Sequence, residues 1–146
     1  VDQKVQKLTT PEQCNTLEKN ALAKGRNDLA SEARVRATEL LAEKYGACTA
    51  AEKECLQAVY AYERVLTDRN KRTIRASRTW PMIEELGIIP AVEKIVKRPE
   101  ETAGYRALVE KGLQDFAFEA VILRYPDAFT PEALYISQER IRAWQT

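Results

Sequence analysis

An all-α fold is predicted by three features of this chain. Helix-forming residues dominate, only five of its 146 residues are glycine, and alternating β-branched runs are nearly absent. Gly25, Gly46, Gly87 and Gly112 each follow a segment of helical periodicity, where a left-handed residue closes a helix at least steric cost. Two Thr-Pro-Glu triplets, at 10–12 and 130–132, mark helix starts. In each, the threonine oxygen caps free amides, the proline fills the first helical position, and the glutamate meets the positive end of the helix dipole.

Taken in order, these signals predict helices near 10–24, 28–45, 49–70, 74–86, 90–98, 101–111, 114–125 and 130–144. The first is opened by Thr10 and closed by Gly25, and the second is closed by Gly46. The third carries the apolar stripe Cys55, Val59, Tyr62 and Leu66. The fourth contains Pro81, so it either begins later, near Thr79, or kinks. Helix 101–111 ends before Gly112, and helix 114–125 before Pro126. Within 113–125, Leu113, Phe116, Phe118, Val121, Ile122 and Leu123 cannot share one face, so this segment is expected near the centre with neighbours on several sides. The last helix presents Leu134, Ile141 and Trp144. Seven to eight helices packed as stacked αα-hairpins in a single domain are expected over residues 1–146. The chain opens on Val1, so it is also read as a candidate piece of a longer protein.

A shift of 25 residues lays TWPMIEELGI over GYRALVEKGL. Trp80 falls on Tyr105, Ile83 on Leu108, Glu85 on Glu110, Gly87 on Gly112 and Ile88 on Leu113. The pattern predicts a helical hairpin used twice, with two copies too few for a solenoid.

Composition excludes several chemistries. The chain has no histidine, which removes Ser–His–Asp and Cys–His catalysis, HExxH zinc sites and histidine acid–base work. There is no glycine-rich phosphate loop, and the adjacent acids Glu84-Glu85 and Glu100-Glu101 cannot both point inward from a helix. A non-catalytic protein without metal or cofactor is expected. Cys14, Cys48 and Cys55 have no CxxC spacing and read as reduced thiols. No apolar run is long enough to span a membrane, and no signal-peptide pattern opens the chain, so a cytoplasmic location and no membrane partner are expected.

Net charge is +1, but it is unevenly distributed. Residues 63–78 carry six cations against two acids, and residues 99–132 carry three cations against seven acids. On a regular helix Lys71, Arg75 and Arg78 would share one face. Such a face, with Arg69 and Arg72 beside it, is suited to phosphates, and Lys94, Lys97 and Arg98 of helix 90–98 extend the set. Asn70, Thr73 and Ser77 are further phosphate donors. The segment 74–98 resembles the helix-turn-helix motif in its central glycine and in Met82, Leu86 and Ile88 around it. It departs from the motif at Ile83, where a small residue is usual, and at Glu93, where a buried one is usual. Its second helix has no Asn or Gln to read adenine, so contact with the nucleic-acid backbone is the expected form. The alternative is a protein–protein interaction or regulatory module, an adaptor or a homodimer.

Overall fold

The structure, a computed structural model, describes residues 2–98 and 103–144, and for Ala103 and Gly104 the backbone alone. The described residues are all-α, with no strand among them. They belong to two compact units, residues 1–47 and 48–146.

In the first unit a single turn, α1 (Gln3–Gln6), precedes the hairpin of α2 (Pro11–Ala23) and α3 (Asn27–Tyr45). Asp2 opens α1 by accepting the Lys4 N–H at 2.8 Å. One turn leaves no periodicity to read, so α1 is absent from the sequence expectation. Thr10 caps α2 as expected, its Oγ1 accepting the Gln13 N–H at 3.2 Å, with Pro11 behind it in the first turn. At the far end the Gly25 and Arg26 N–H groups donate back to Leu22 and Ala21. This closure satisfies the orphan carbonyls of the last turn. Val5, Leu17, Ala21, Leu29 and Ala30 pack together as the core. Glu18 is also buried, and its carboxylate meets Arg34 of α3 at 2.8 Å.

In the second unit the spine is α4 (Ala50–Asn70). It starts on a full capping box, in which Thr49 accepts from the Glu52 N–H and Glu52 accepts from the Thr49 N–H. Around it lie α5 (Thr79–Leu86), α6 (Ile88–Val96), α7 (Ala103–Glu110), α8 (Phe118–Arg124) and α9 (Pro131–Trp144). One cluster joins Cys55 and Ala58 of α4 to Val92 and Val96 of α6, Val121 and Ile122 of α8, and Ala133 of α9. A second joins Ala61 and Val65 of α4 to Ala107 and Leu108 of α7 and to Ala117. Successive stripes of one helix thus serve two cores.

That division explains the segment expected as one helix over 114–125. Residues 114–116 form a 3-10 turn, Ala117 is extended at φ −69°, ψ 146°, and only then does α8 begin. Leu113 and Phe116 pack into the Ala61/Val65 cluster, whereas Phe118, Val121 and Ile122 enter the Cys55/Ala58 cluster. The residues are apolar all round because the chain bends at Ala117 and fills two cores in succession. Arg124 and Tyr125 then tie the end of α8 to α4. Both meet Glu54, Arg124 at 2.8 Å, and that carboxylate holds the Tyr125 phenol above its ordinary range.

On α9 the buried line runs through Ala133 and Ser137, with the expected Leu134 and Ile141 flanking it half-buried. Small side chains occupy the deepest positions, and an apolar scan does not weight them. Trp144 stacks on Tyr105 of α7 at 3.7 Å. Thr130 caps α9 as expected, and its own N–H donates to the Glu93 carboxylate at 2.6 Å. Glu93 is therefore a cap between helices rather than a misplaced core residue.

Candidate functional site

The basic stretch does not form the continuous helix face expected for it. α4 stops at Asn70, Lys71 turns into the left-handed region at φ 59°, and residues 71–78 are loop until α5 begins at Thr79. Pro81 dictates that start. It lacks the N–H that a helix running through Ser77 would need, and its ring would clash with the carbonyl one turn back. Beginning at Thr79 places Pro81 in the first turn, where neither cost applies.

The loop is nevertheless well fastened, chiefly by Glu63 of α4. This residue is 7% exposed, and a single carboxylate oxygen accepts from the Ala76 N–H and from Trp80 Nε1, each at 2.6 Å. Arg75 Nε lies 3.3 Å from the same oxygen. The Arg75 guanidinium also sits over the Trp80 ring, 5.4 Å from its centroid. Tyr60, one turn back on α4, meets that indole at 5.1 Å. A second tether is Thr67, whose hydroxyl accepts from the Ile74 N–H at 2.9 Å.

The expected phosphate ligands therefore differ in their freedom. Arg69 is paired with Glu110 at 2.8 Å, with both side chains about half exposed or more. An exposed pair of that kind is worth at most ~1 kcal/mol, so a phosphate can replace Glu110. Arg75 is shared between Glu63 and Trp80. Lys71, Arg72 and Arg78 are exposed, and among the described residues none has an ion-pair partner. Thr73 and Ser77 are exposed beside them, while Asn70 Nδ2 donates to the Leu66 carbonyl.

The second group of cations lies at the end of α6, where Lys97 reaches α9. Lys97 meets Glu93 at 3.9 Å and Glu132 at 3.4 Å, and the Arg98 carbonyl accepts from Arg140. Lys94 is exposed. Val92 and Val96 of this helix belong to the cluster containing Cys55 and Ala58, near the start of α4, whereas the loop is tethered at Glu63 and Thr67 towards its end. At 1.5 Å per residue the two groups of cations hang from separate turns of α4. Glu100 and Glu101 lie outside the described residues.

α5 and α6 form the expected pair, over 79–96 rather than 74–98. Gly87 alone joins them, whereas a helix-turn-helix uses a turn of about three to four residues. Its φ of 94° and ψ of 164° suit glycine only. A Cβ there would meet only Pro90 Cδ, at an ordinary 3.7 Å, so the demand for glycine comes from the backbone and not from crowding. The 25-residue echo holds for the first helix of each copy. Ile83 and Leu108 are each 3% exposed, and Trp80 and Tyr105 each make a ring contact. After the glycine the copies diverge: α6 follows Gly87 at once, whereas Gly112 and Leu113 fold back on Val109 and Leu108 and lead into the 3-10 turn.

The left-handed Lys71 offers a direct check on the loop. Lys71→Gly is expected to raise the unfolding free energy by ~1 kcal/mol, since only the lysine carries a Cβ in that conformation. Urea denaturation beside Lys71→Ala, which keeps the Cβ and should gain nothing, tests this.

Comparison with known proteins finds no matching family model, no similar curated protein and no similar solved structure.

Proposed function

We propose that the second unit is a non-catalytic nucleic-acid-associating module that holds backbone phosphates with the loop between α4 and α5. The observation that carries this reading is the set of exposed cations Lys71, Arg72 and Arg78, free of acidic partners among the described residues, on a loop pinned to α4 by Glu63 and Thr67. With its backbone already pinned, the loop loses little further backbone freedom on meeting a phosphate. Arg69 joins them by exchanging Glu110 for phosphate. The protein-partner alternative has less behind it. The exposed large apolar side chains Leu22, Tyr45, Leu86, Val109 and Tyr135 lie on separate elements, as on ordinary surfaces. A cytoplasmic setting belongs to the same proposal and accords with three free thiols.

Fluorescence anisotropy with labelled single- and double-stranded DNA and RNA at low salt tests the reading. Three to four phosphate contacts predict that log K falls with log salt at a slope of about −2 to −4. Arg72→Glu with Arg78→Glu should weaken binding at least ~10-fold irrespective of sequence and flatten that slope by about 2. Arg75→Glu is a poorer probe, because it sets a second carboxylate against buried Glu63. No complex at low salt, or unchanged affinity in the double variant, would refute the proposal.

A further inference from the structure

We infer that Trp80 is a stacking platform for an unpaired base, so that the ligand of this loop is a single-stranded nucleic acid rather than a duplex. This rests on the phosphate-binding reading and narrows it. The indole is half-buried and fixed in place: Nε1 donates to Glu63 at 2.6 Å and Tyr60 packs against it at 5.1 Å. Over the ring, 5.4 Å from its centroid, lies the Arg75 guanidinium, on a side chain that is 63% exposed. A planar cation on an indole occupies the position a nucleobase takes when it stacks, and sequence-tolerant stacking of this kind operates beside cationic grooves.

Arg75 is thus a removable cover. When a base slides onto Trp80, the guanidinium is displaced towards solvent, where Arg72 and Arg78 already await phosphates, and it adds one more contact to the backbone of the incoming strand. In a duplex the base faces are buried against one another, and only the phosphates remain to be bound. The irregular loop suits the same ligand. Residues 71–78 offer no helix to enter a major groove.

Trp144 is the only other tryptophan, so Trp144→Phe makes Trp80 the sole indole reporter. Two ligands are titrated into this variant at low salt, an oligothymidylate and inorganic polyphosphate of similar charge, with an unlabelled duplex as competitor. The oligothymidylate should quench Trp80 emission strongly and polyphosphate should bind with little change. Affinities are read by isothermal titration calorimetry, in which Trp80→Leu should weaken the oligothymidylate ~10-fold or more and leave polyphosphate affinity unchanged. Because Trp80→Leu also removes the donor to Glu63, Trp80→Phe serves as the second variant: it keeps a ring without that donor and should retain most of the affinity. Equal quenching by both ligands, or binding of both without quenching, would overturn the stacking site while leaving phosphate binding in place. Failure of both ligands to bind would remove the phosphate-binding reading itself.

Discussion

Glu63→Ala should destabilise the second unit by about 1–3 kcal/mol, because two half-buried donors lose their acceptor at once. The Ala76 N–H and Trp80 Nε1 both donate to one Glu63 oxygen at 2.6 Å. Leaving a buried donor without an acceptor costs about 1–3 kcal/mol, and Arg75 would lose its counter-ion as well. Glu63→Gln keeps an acceptor oxygen in place and should cost roughly half as much. Urea denaturation gives both values. A loss under ~0.5 kcal/mol for the alanine variant would mean that the loop is held by Thr67 and packing rather than by this carboxylate. The expected rank order is Gln above Ala, and the Trp80 environment, read by near-ultraviolet circular dichroism, should follow it.

Raising the pH should destabilise the second unit through Cys55. Its thiol is wholly buried in the cluster with Val92, Val121 and Ile122. Burial, helped by the nearby Glu54 and Glu52 carboxylates, pushes it up from 9.0 to about 12. The group is therefore protonated in both states below pH 9.0, and its contribution to stability is fully present there. Above that pH the unfolded chain releases the proton while the folded chain keeps it. The unfolded state then binds fewer protons, so stability falls by about 1.4 kcal/mol per pH unit until the folded thiol also ionises. Between about pH 9 and pH 11 the loss from this one residue is about 2 kcal/mol. The measurement is a difference between two proteins, which removes the contribution of every other group: Cys55→Ala, less stable at neutral pH, should lose visibly less on going alkaline. Parallel pH profiles for the two proteins would show that Cys55 is not the group responsible. Reductant is needed throughout, since Cys48 is exposed.

The elements that were legible in the sequence are those set by local chemistry. Thr10 and Thr130 cap helices through bonds to residues three places on, and the closures at Gly25, Gly46 and Gly112 lie within a few residues of the helix they end. Such contacts are written in the sequence that makes them. What was not legible rests on partners distant in the chain. The bend at Ala117 exists because two cores on α4 compete for neighbouring side chains, and nothing between residues 113 and 125 records the presence of α4. The candidate site divides in the same way. The cations themselves were plain, and Pro81 already suggested a helix starting at Thr79. The wheel that placed Lys71, Arg75 and Arg78 on one face assumed a regularity that the left-handed Lys71 ends. Glu63 was hidden altogether. In a sequence it counts as one more acid opposing a basic run, and only its burial beneath Ala76 and Trp80 gives it the part of anchor. The nearest available signal was its position on α4, between Tyr62 of the expected stripe and the mixed residues of the outer face.

Three acids share that concealment. Glu18, Glu63 and Glu119 are each buried, and each takes an arginine from a different element: Arg34, Arg75 and Arg140. A chain drifting under selection for this fold is free to exchange most of its surface charges, but at these places loss of the glutamate leaves half-buried donors without an acceptor, so these positions are held more tightly. Glu18 and Arg34 stand 16 residues apart, Glu63 and its indole donor Trp80 stand 17 apart, and Glu119 and Arg140 stand 21 apart. Distant kin of this chain should therefore betray themselves less by their apolar pattern, which any helical bundle shares, than by glutamates and their partners held at those intervals.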